Sequence, residues 1–320
     1  MTDLTVLGEL LIDFTPEGRS STGMPLLSQN PGGAVANVAC TVSRLGRTSS
    51  FIGKVGDDMH GHFLQQTLSD AGVDTSGLVL DRKYATTLAF VSLRADGERD
   101  FSFYRDPGAD TCLFPEEVDE SMIRSSRILH VGSLSMTNRP SSDSTRKALQ
   151  IASSSGVVIS FDPNYRERLW PSQKAAVAAM REILPYARLV KLSGEEAELL
   201  FGTVDPLQEN KDFFTGQISC LVITMGNRGA VVHTKGGVAF VPSYSTNPVD
   251  TTGAGDVFWG AFLYAYLEEG KNELSLETCT EFTRFANAAA SLSVGVKGAI
   301  PSIPDLPDVR RRMNDGLTLA

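Results

Sequence analysis

Strand and helix patterns alternate across residues 127–201, where the apolar runs RILHV (127–131), VVISF (157–161) and RLVKL (188–192) are each followed by a helical pattern. The helical patterns cover residues 141–154, 172–184 and 194–201. Parallel strands need a crossover connection, and a helix between consecutive strands supplies one. The region therefore predicts a mostly parallel sheet with helices on both faces.

The same alternation continues on both sides of this region. Apolar residues at helical spacing follow Gly33 and stop at Gly46, and Asp57 or Asp58 can cap the next helix. We predict strands at 5–14, 48–55 and 218–224, a hairpin at 229–234 and 238–241, and long helices at 254–267 and 274–294. The chain is thus expected to be an α/β protein, a class in which ligands bind at the carboxyl ends of the strands.

One hairpin does not fit the parallel sheet. Its strands are expected at Thr86–Leu93 and Asp100–Arg105, joined across Ala95-Asp96-Gly97-Glu98, where Asp-Gly favours a tight turn. Phe101 and Phe103 alternate with Ser102 and Tyr104, a pattern typical of a strand with one packed face and one open face. We expect this hairpin to form a small appended sheet.

Composition excludes several classes of protein. The chain has 320 residues and a formal net charge of −9, so a general electrostatic grip on nucleic acid or on a membrane surface is not expected. Its four cysteines form no C-x-x-C pair and are expected to be reduced. The first residues, MTDLTVLGELLIDF, lack the basic region of a signal peptide, and the predicted location is cytoplasmic.

The segment DTTGAGD (250–256) leads directly into the apolar helix predicted at 257–267. Small residues at a helix start expose backbone N–H groups, and the helix dipole favours an anion there. A carboxylate at Asp256 would repel a phosphate unless it accepts a proton from an attacking hydroxyl. The segment therefore predicts phosphoryl transfer, although a capped glycine-rich turn alone is an alternative. Its spacing matches neither a dinucleotide-binding fingerprint nor a P-loop.

A second polar cluster lies near the start of the chain. Gly32 and Gly33 allow close backbone approach at a helix start, and Asn37 lies one helical turn further on. With Asp13, these residues suit a ligand with many hydroxyls. A glycine turn with a structural Asn is an equally good interpretation of this segment alone.

These segments together resemble the ribokinase-like (PfkB) family of sugar kinases over nearly the whole chain. The resemblance rests on Gly32-Gly33 with Asn37, Asp162-Pro163-Asn164, Ser193-Gly194-Glu195-Glu196, Thr224-Met225-Gly226 and Asp250–Asp256, in this order. Within the family it is strongest to fructokinases, through GELLIDF (8–14), FIGKVG (51–56), TLAFV (87–91), FYR (103–105), DPNYR (162–166) and LWP (169–171).

The resemblance implies a single ribokinase-like domain over residues 1–320, with three αβα layers and a lid formed by segments at about 12–30 and 84–106. It implies ATP and Mg²⁺ as cofactors, with K⁺ as a further ion that it allows, and a homodimer through the lid as a further arrangement. It also implies these roles for individual residues: Asp256 as catalytic base with Gly253, Ala254 and Gly255 as anion hole; Asp13, Gly32, Gly33, Asn37, Phe103, Arg105 and Arg166 for the sugar; Asn164, Lys191, Ser193, Glu196, Thr224, Gly226, Gly229 and Asn287 for nucleotide and phosphate; Glu196 for Mg²⁺ through water; and Asp250, Thr252, Ser293, Val296, Gly298 and Ser302 for a monovalent cation.

The sequence-based hypothesis is an ATP-dependent kinase that acts on the 6-hydroxyl of D-fructose. Two departures from the family pattern are Ser193, where Asn is frequent, and Val35, where many fructokinases have Pro. The alternative enzyme is a 2-keto-3-deoxygluconate kinase or another PfkB sugar kinase, since the sequence does not show whether Arg105 or Arg166 would bind a substrate carboxylate. The alternative outside enzymology is a sugar-sensing module on the same fold.

Overall fold

The computed structural model describes residues 2–93, 99–202, 205–270 and 274–316. Within them, nine strands form one large sheet in the order β13-β12-β11-β10-β9-β8-β1-β4-β5. Its strands are β1 (Thr2–Leu7), β4 (Ser49–Gly56), β5 (Val73–Asp81), β8 (Ser126–Val131), β9 (Val158–Phe161), β10 (Leu189–Ser193), β11 (Cys220–Thr224), β12 (Gly229–Thr234) and β13 (Gly237–Pro242). The pairings from β5 to β11 are parallel, and β12 and β13 extend the sheet antiparallel.

Helices cover both faces of this sheet. They are α1 (Ala34–Arg44), α2 (Met59–Asp70), α3 (Glu120–Arg124), α4 (Ser141–Ser154), α5 (Gln173–Ile183), α6 (Gly194–Phe201), α7 (Ala254–Glu269), α8 (Leu276–Ser293) and α9 (Leu306–Asn314). Successive strand residues point to opposite faces, so Leu189 joins the core under α1, α7 and α8, whereas Val190 joins the core under α4, α5 and α6. The predicted three-layer α/β fold is confirmed.

A smaller sheet lies outside the large one, in the order β3-β2-β6-β7. It consists of β2 (Leu11–Arg19), β3 (Pro25–Gly32), β6 (Leu88–Leu93) and β7 (Arg99–Tyr104). The hairpin expected outside the large sheet is therefore there, as β6 and β7. Its predicted turn, Ala95–Glu98, lies outside the described residues.

The first predicted strand, Thr5–Phe14, is wrong as one element. β1 ends at Leu7 inside the large sheet, and β2 starts at Leu11 in the small sheet. Apolar residues stand on both sides of the break, at the end of β1 and at the start of β2, so the hydrophobic pattern does not mark it. Gly8 lies where the chain leaves β1, and a Cβ there would come within 2.7 Å of a Val35 methyl.

The patterns also failed to predict several elements. β3 and β5 are rich in polar and small residues, and no expectation was placed on α3 or α9. β5 pairs only with β4 at the edge of the sheet, where a continuous apolar run is not needed.

Within the described ranges, no helix combines the length and the apolar character needed to cross a membrane.

Candidate active site

Asp256 lies in the first turn of α7, at the floor of a cleft of about 580 Å³. Its side chain is buried, with a residue exposure of 7 %, yet it has no basic group in direct hydrogen-bond contact among the described residues. Instead, Asn37 Nδ2 donates to Oδ2 at 2.8 Å and Asn164 Nδ2 donates to Oδ1 at 2.9 Å. Two neutral amides thus fix the orientation of the carboxylate without neutralising it.

The three residues come from separate parts of the fold. Asn37 is on α1 and Asn164 follows β9, where it adopts a positive φ of 46° that an Asn tolerates better than most residues. Gly253 precedes α7 with φ 76°, and a Cβ there would lie 2.5 Å from the Ala299 Cβ. Only glycine therefore fits the turn that aims α7 into the cleft.

Burial raises the pKa of Asp256 to about 6, although the Asn37 hydrogen bond and the charges of Lys191 and Arg166 oppose it. The charge of Glu9 adds to the increase. A pKa near 6 leaves the carboxyl ionised at neutral pH while making it a better proton acceptor than an exposed aspartate.

We expect the catalytic rate to reflect this pKa. If Asp256 must be ionised to accept a proton, kcat/KM should fall tenfold per pH unit below about 6, because the raised pKa moves protonation towards neutrality. The measurement is a kcat/KM profile between pH 5 and pH 8 with the coupling system checked at each pH. A profile that stays flat to pH 5 would show that no such group limits the reaction.

The start of α7 is shaped to receive an anion. Gly253 and Gly255 line the cleft, and their missing side chains leave the backbone open to a ligand. Ala254 does not line the cleft, and its N–H donates to the Thr251 carbonyl at 3.3 Å. Gly253 and Gly255 thus lie in the cleft, and the anion-hole role of all three residues stays a prediction.

A buried cation lies beside this helix start. Lys191 Nζ, in the middle of β10, donates to Asp162 Oδ2 at 2.8 Å, and a Cβ on Gly255 would lie 3.2 Å from the same nitrogen. Burial lowers the pKa of Lys191, but the charges of Asp162 and Glu196 outweigh it and hold the pKa above its usual range. Positive charge is therefore fixed next to the glycines.

Opposite this end, the small sheet and α1 form a polar wall. Asp13 on β2 lines the cleft, and burial raises its pKa to about 6 while Arg166 opposes the shift. A Cβ on Gly32 would collide with the Asp13 carboxylate and would displace it from its place in the cleft. Gly33, Phe103 and Arg166 also line the cleft. The sequence-predicted sugar residues are thus mostly brought together.

Arg105 is the exception among them. Its Nε donates to Asp110 Oδ2 at 2.7 Å, and its terminal nitrogens donate to Thr137 Oγ1 and to the Leu134 carbonyl. The guanidinium is buried and ion-paired with Asp110, and Arg105 does not line the cleft. Its predicted contact with substrate is therefore not supported by this arrangement, in which Arg105 holds Leu134 in the cleft wall.

Three residues that line the same cleft carry buried, unpaired acceptors. Asn37 Oδ1, Asn164 Oδ1 and Glu9 Oε2 are buried and have no hydrogen-bond partner among the described residues. Buried acceptors of this kind are costly unless a ligand supplies donors. Hydroxyl groups or bound water would satisfy them. Glu9 was not selected from the sequence; the only signal was a charged residue between two apolar strands.

The predicted phosphate and nucleotide residues divide into two groups. Ser193 and Glu196 line the cleft and cap α6 reciprocally, with Glu196 Oε2 accepting from the Ser193 N–H at 2.7 Å. The other group, on the far side of β10, does not line the cleft: Thr224, Gly226, Gly229 and Asn287. Asn287 Nδ2 instead donates to the carbonyls of Val241 and Pro242, which ties α8 to β13.

The predicted monovalent-cation residues lie behind the anion-binding turn. Asp250 joins their two segments, because its carboxylate accepts from the N–H and hydroxyl of Thr252 and from the Gly298 N–H. The hydroxyls of Ser293 and Ser302 donate within their own turns, to the carbonyls of Ala290 and Ala299. Val296 lies three residues after Ser293 and is half exposed. Asp250, Thr252 and Gly298 thus lie together beside Gly253, and the monovalent-cation role of this set stays a prediction.

A buried acid at a glycine-lined helix start, with a fixed lysine beside it and a hydroxyl-accepting wall opposite, defines a phosphotransferase acting on an alcohol. The chain belongs to the pfkB family of carbohydrate kinases, whose model matches residues 1–306.

Known relatives agree over nearly the full length. The chain is 40% identical over 310 residues to Fructokinase-1 of Oryza sativa subsp. japonica, covering 96% of each chain. Among solved structures, a fructokinase from Xylella fastidiosa with bound ATP superimposes with a TM-score of 0.88 at 31% identity, covering 98% of this chain and 99% of that chain. A fructokinase double mutant from Vibrio cholerae O395, with fructose, ADP and potassium bound, gives a TM-score of 0.86 at 33% identity over 98% of each chain.

Proposed function

We propose that this protein transfers the γ-phosphoryl group of ATP to the 6-hydroxyl of D-fructose. The observation that carries the proposal is the placement of Asp256 between two amide donors and beside the glycine-lined start of α7. The fructokinases named above support fructose as the substrate.

In this reaction the sugar hydroxyl lies against Asp256, which accepts its proton as the bond to phosphorus forms. The alcohol is too weakly acidic to ionise beforehand, so proton transfer is late and the transition state is loose. The N–H groups of Gly253 and Gly255 and the charge of Lys191 stabilise the negative charge on the transferred group. Asn37 and Asn164 hold the carboxylate in line throughout.

Magnesium fits the residues at the phosphate end. Asn164 Oδ1 is a buried acceptor with no partner among the described residues, and Glu196, whose carboxylate accepts from the N–H groups of Tyr165 and Ser193, also lines the cleft. Mg²⁺ is held mainly by substrate phosphates and water, with one or two carboxylates nearby. The ion would neutralise phosphate charge, with Glu196 binding it through water.

The monovalent-cation prediction concerns the same helix start. Asp250 and Thr252 precede Gly253, so an ion bound to the oxygens there would add positive charge behind the anion-binding turn. Carbonyl and carboxylate oxygens are suitable ligands for a hard cation such as K⁺.

A coupled ADP-release assay over fructose, mannose, ribose, glucose and 2-keto-3-deoxygluconate tests the proposal. We expect the highest kcat/KM with fructose, because the relatives named above are fructokinases and the Arg105 guanidinium, already paired with Asp110, is not available to a substrate carboxylate. Higher kcat/KM with 2-keto-3-deoxygluconate would establish the alternative kinase. Sugar binding without ADP release from any sugar would establish the sensing module.

Two aspects of the cellular setting belong to the same proposal. The small sheet is proposed to act as a lid and to pair between two subunits, because Met24, Leu27 and Tyr104 are large, exposed side chains on or beside its strands. Sedimentation equilibrium giving a monomer at micromolar concentration would contradict the dimer.

A cytoplasmic location is supported by four free, buried thiols, and fractionation of cells tests it.

A further inference from the structure

Glu9 is a buried carboxyl group in the wall of the cleft that the proposed chemistry leaves unused. It lies between β1 and β2 and is 2 % exposed. Oε1 accepts from the Ala34 N–H at 2.8 Å, at the start of α1. Oε2 is buried, has no partner among the described residues, and belongs to a residue that lines the cleft.

The surroundings of Glu9 hold it in place without satisfying it. Burial raises the pKa of Glu9, while its own N–H, the Ala34 N–H and the charge of Arg105 oppose the shift. Arg105 is bonded to Asp110, Thr137 and Leu134, so its donors are used elsewhere. One carboxyl oxygen thus anchors the group, and the other is buried without a partner among the described residues.

The position of Glu9 separates it from the reacting hydroxyl. Gly33 packs directly against the Glu9 backbone carbonyl, and Asp13 follows on β2, so Glu9 belongs to the wall formed by the small sheet and α1. Asp256 is already bonded to Asn37 and Asn164, and Glu9 acts on it only through charge. A sugar whose 6-hydroxyl lies at Asp256 would present its other hydroxyls to this wall.

We propose that Glu9 is a specificity-determining residue whose Oε2 accepts a hydrogen bond from a sugar hydroxyl other than the one that is phosphorylated. The inference rests on the proposed function, since it assigns a subsite for the same sugar. A buried acceptor without a donor is costly, so a sugar hydroxyl that donates to Oε2 would contribute to binding.

The test is Glu9→Gln, which keeps the side-chain length and an oxygen for the Ala34 N–H. We expect KM for fructose to rise on the order of 10- to 100-fold, with kcat and KM for ATP changed by less than about threefold. The matched control is Glu116→Gln, an exposed glutamate outside the cleft lining, which should match the wild type. An unchanged KM for fructose in a folded Glu9→Gln protein would overturn the proposal.

Deoxy sugars distinguish a direct contact from a structural role. Wild type and Glu9→Gln are each assayed with fructose and with its 1-, 3- and 4-deoxy analogues. Removal of the hydroxyl that Glu9 binds should lower kcat/KM of the wild type. The same removal should change kcat/KM of Glu9→Gln little, because the contact is already lost there. Equal losses for every analogue in both proteins would assign Glu9 to the support of α1 alone.

Two further readouts keep the outcome clear. If Glu9→Gln does not fold, Glu9→Asp retains the carboxylate, and titration of wild type and variant with fructose by calorimetry replaces the kinetic comparison. Weakened fructose binding supports the proposal, and unchanged binding overturns it.

Failure of the proposed function would show in the wild type itself: fructose would not be phosphorylated, while another sugar in the panel would be. The deoxy series is then made from that sugar.

Discussion

Replacement of Asp256 by Asn should lower kcat by roughly 10²- to 10⁴-fold, the range typical of a lost general base. The asparagine keeps the shape of the side chain but cannot accept the proton of the sugar hydroxyl. In the wild type, the amide groups of Asn37 and Asn164 each donate to one oxygen of the Asp256 carboxylate. In either orientation of the new asparagine side chain, its NH₂ group would face one of these two donors. The measurement is steady-state kinetics with fructose and ATP.

The control for this variant is Asp315→Asn, an exposed aspartate beyond α9 that should leave kcat unchanged. Sugar affinity, measured by calorimetry, should change only modestly in Asp256→Asn, because Asp13, Asn37 and the small-sheet wall are intact. Near-normal turnover in a folded Asp256→Asn protein would remove Asp256 from its role as base.

The fold was predictable from sequence wherever hydrophobic period and turn chemistry agreed. α4 and α6 have the predicted bounds, Ser141–Ser154 and Gly194–Phe201, because each follows an apolar strand and carries a continuous helical pattern. The break after Leu7 was not predictable, since β1 ends and β2 begins with apolar residues although the two strands join different sheets. That choice depends on pairing with distant strands, which no local pattern records.

The candidate site was predictable where a local motif carries the chemistry. DTTGAGD (250–256) indicated both the helix start and the acid, and the structure places Asp256, Gly253 and Gly255 in one cleft. Arg105 shows the limit of such reasoning. Its residue type suits a substrate anion, but its partner Asp110 lies in a separate short helix. Neither that pairing nor the buried, unpaired oxygen of Glu9 is visible from residue spacing.

Replacement of Gly255 by Val should reduce phosphoryl transfer by at least about 10²- to 10³-fold, the range seen when anion-stabilising donors are lost. A Cβ at this position would lie 3.2 Å from Lys191 Nζ, and the two valine methyl groups would extend into the place where the anion approaches the helix start. Helix propensity is a small part of the effect, since valine in a helix costs below about 1 kcal/mol.

Sugar binding separates a blocked anion site from a damaged fold. Because Gly255 lies at the phosphate end of the cleft, calorimetry should still detect fructose binding to Gly255→Val while transfer is lost. Gly236→Val, at an exposed hairpin where the nearest neighbour of a Cβ is 3.6 Å away, is the matched control and should remain active. Gly255→Ala should fall between wild type and Gly255→Val, because a single methyl group requires only a small shift of the Lys191 side chain. Full activity in Gly255→Val would mean that the transferred phosphoryl group does not bind against the start of α7.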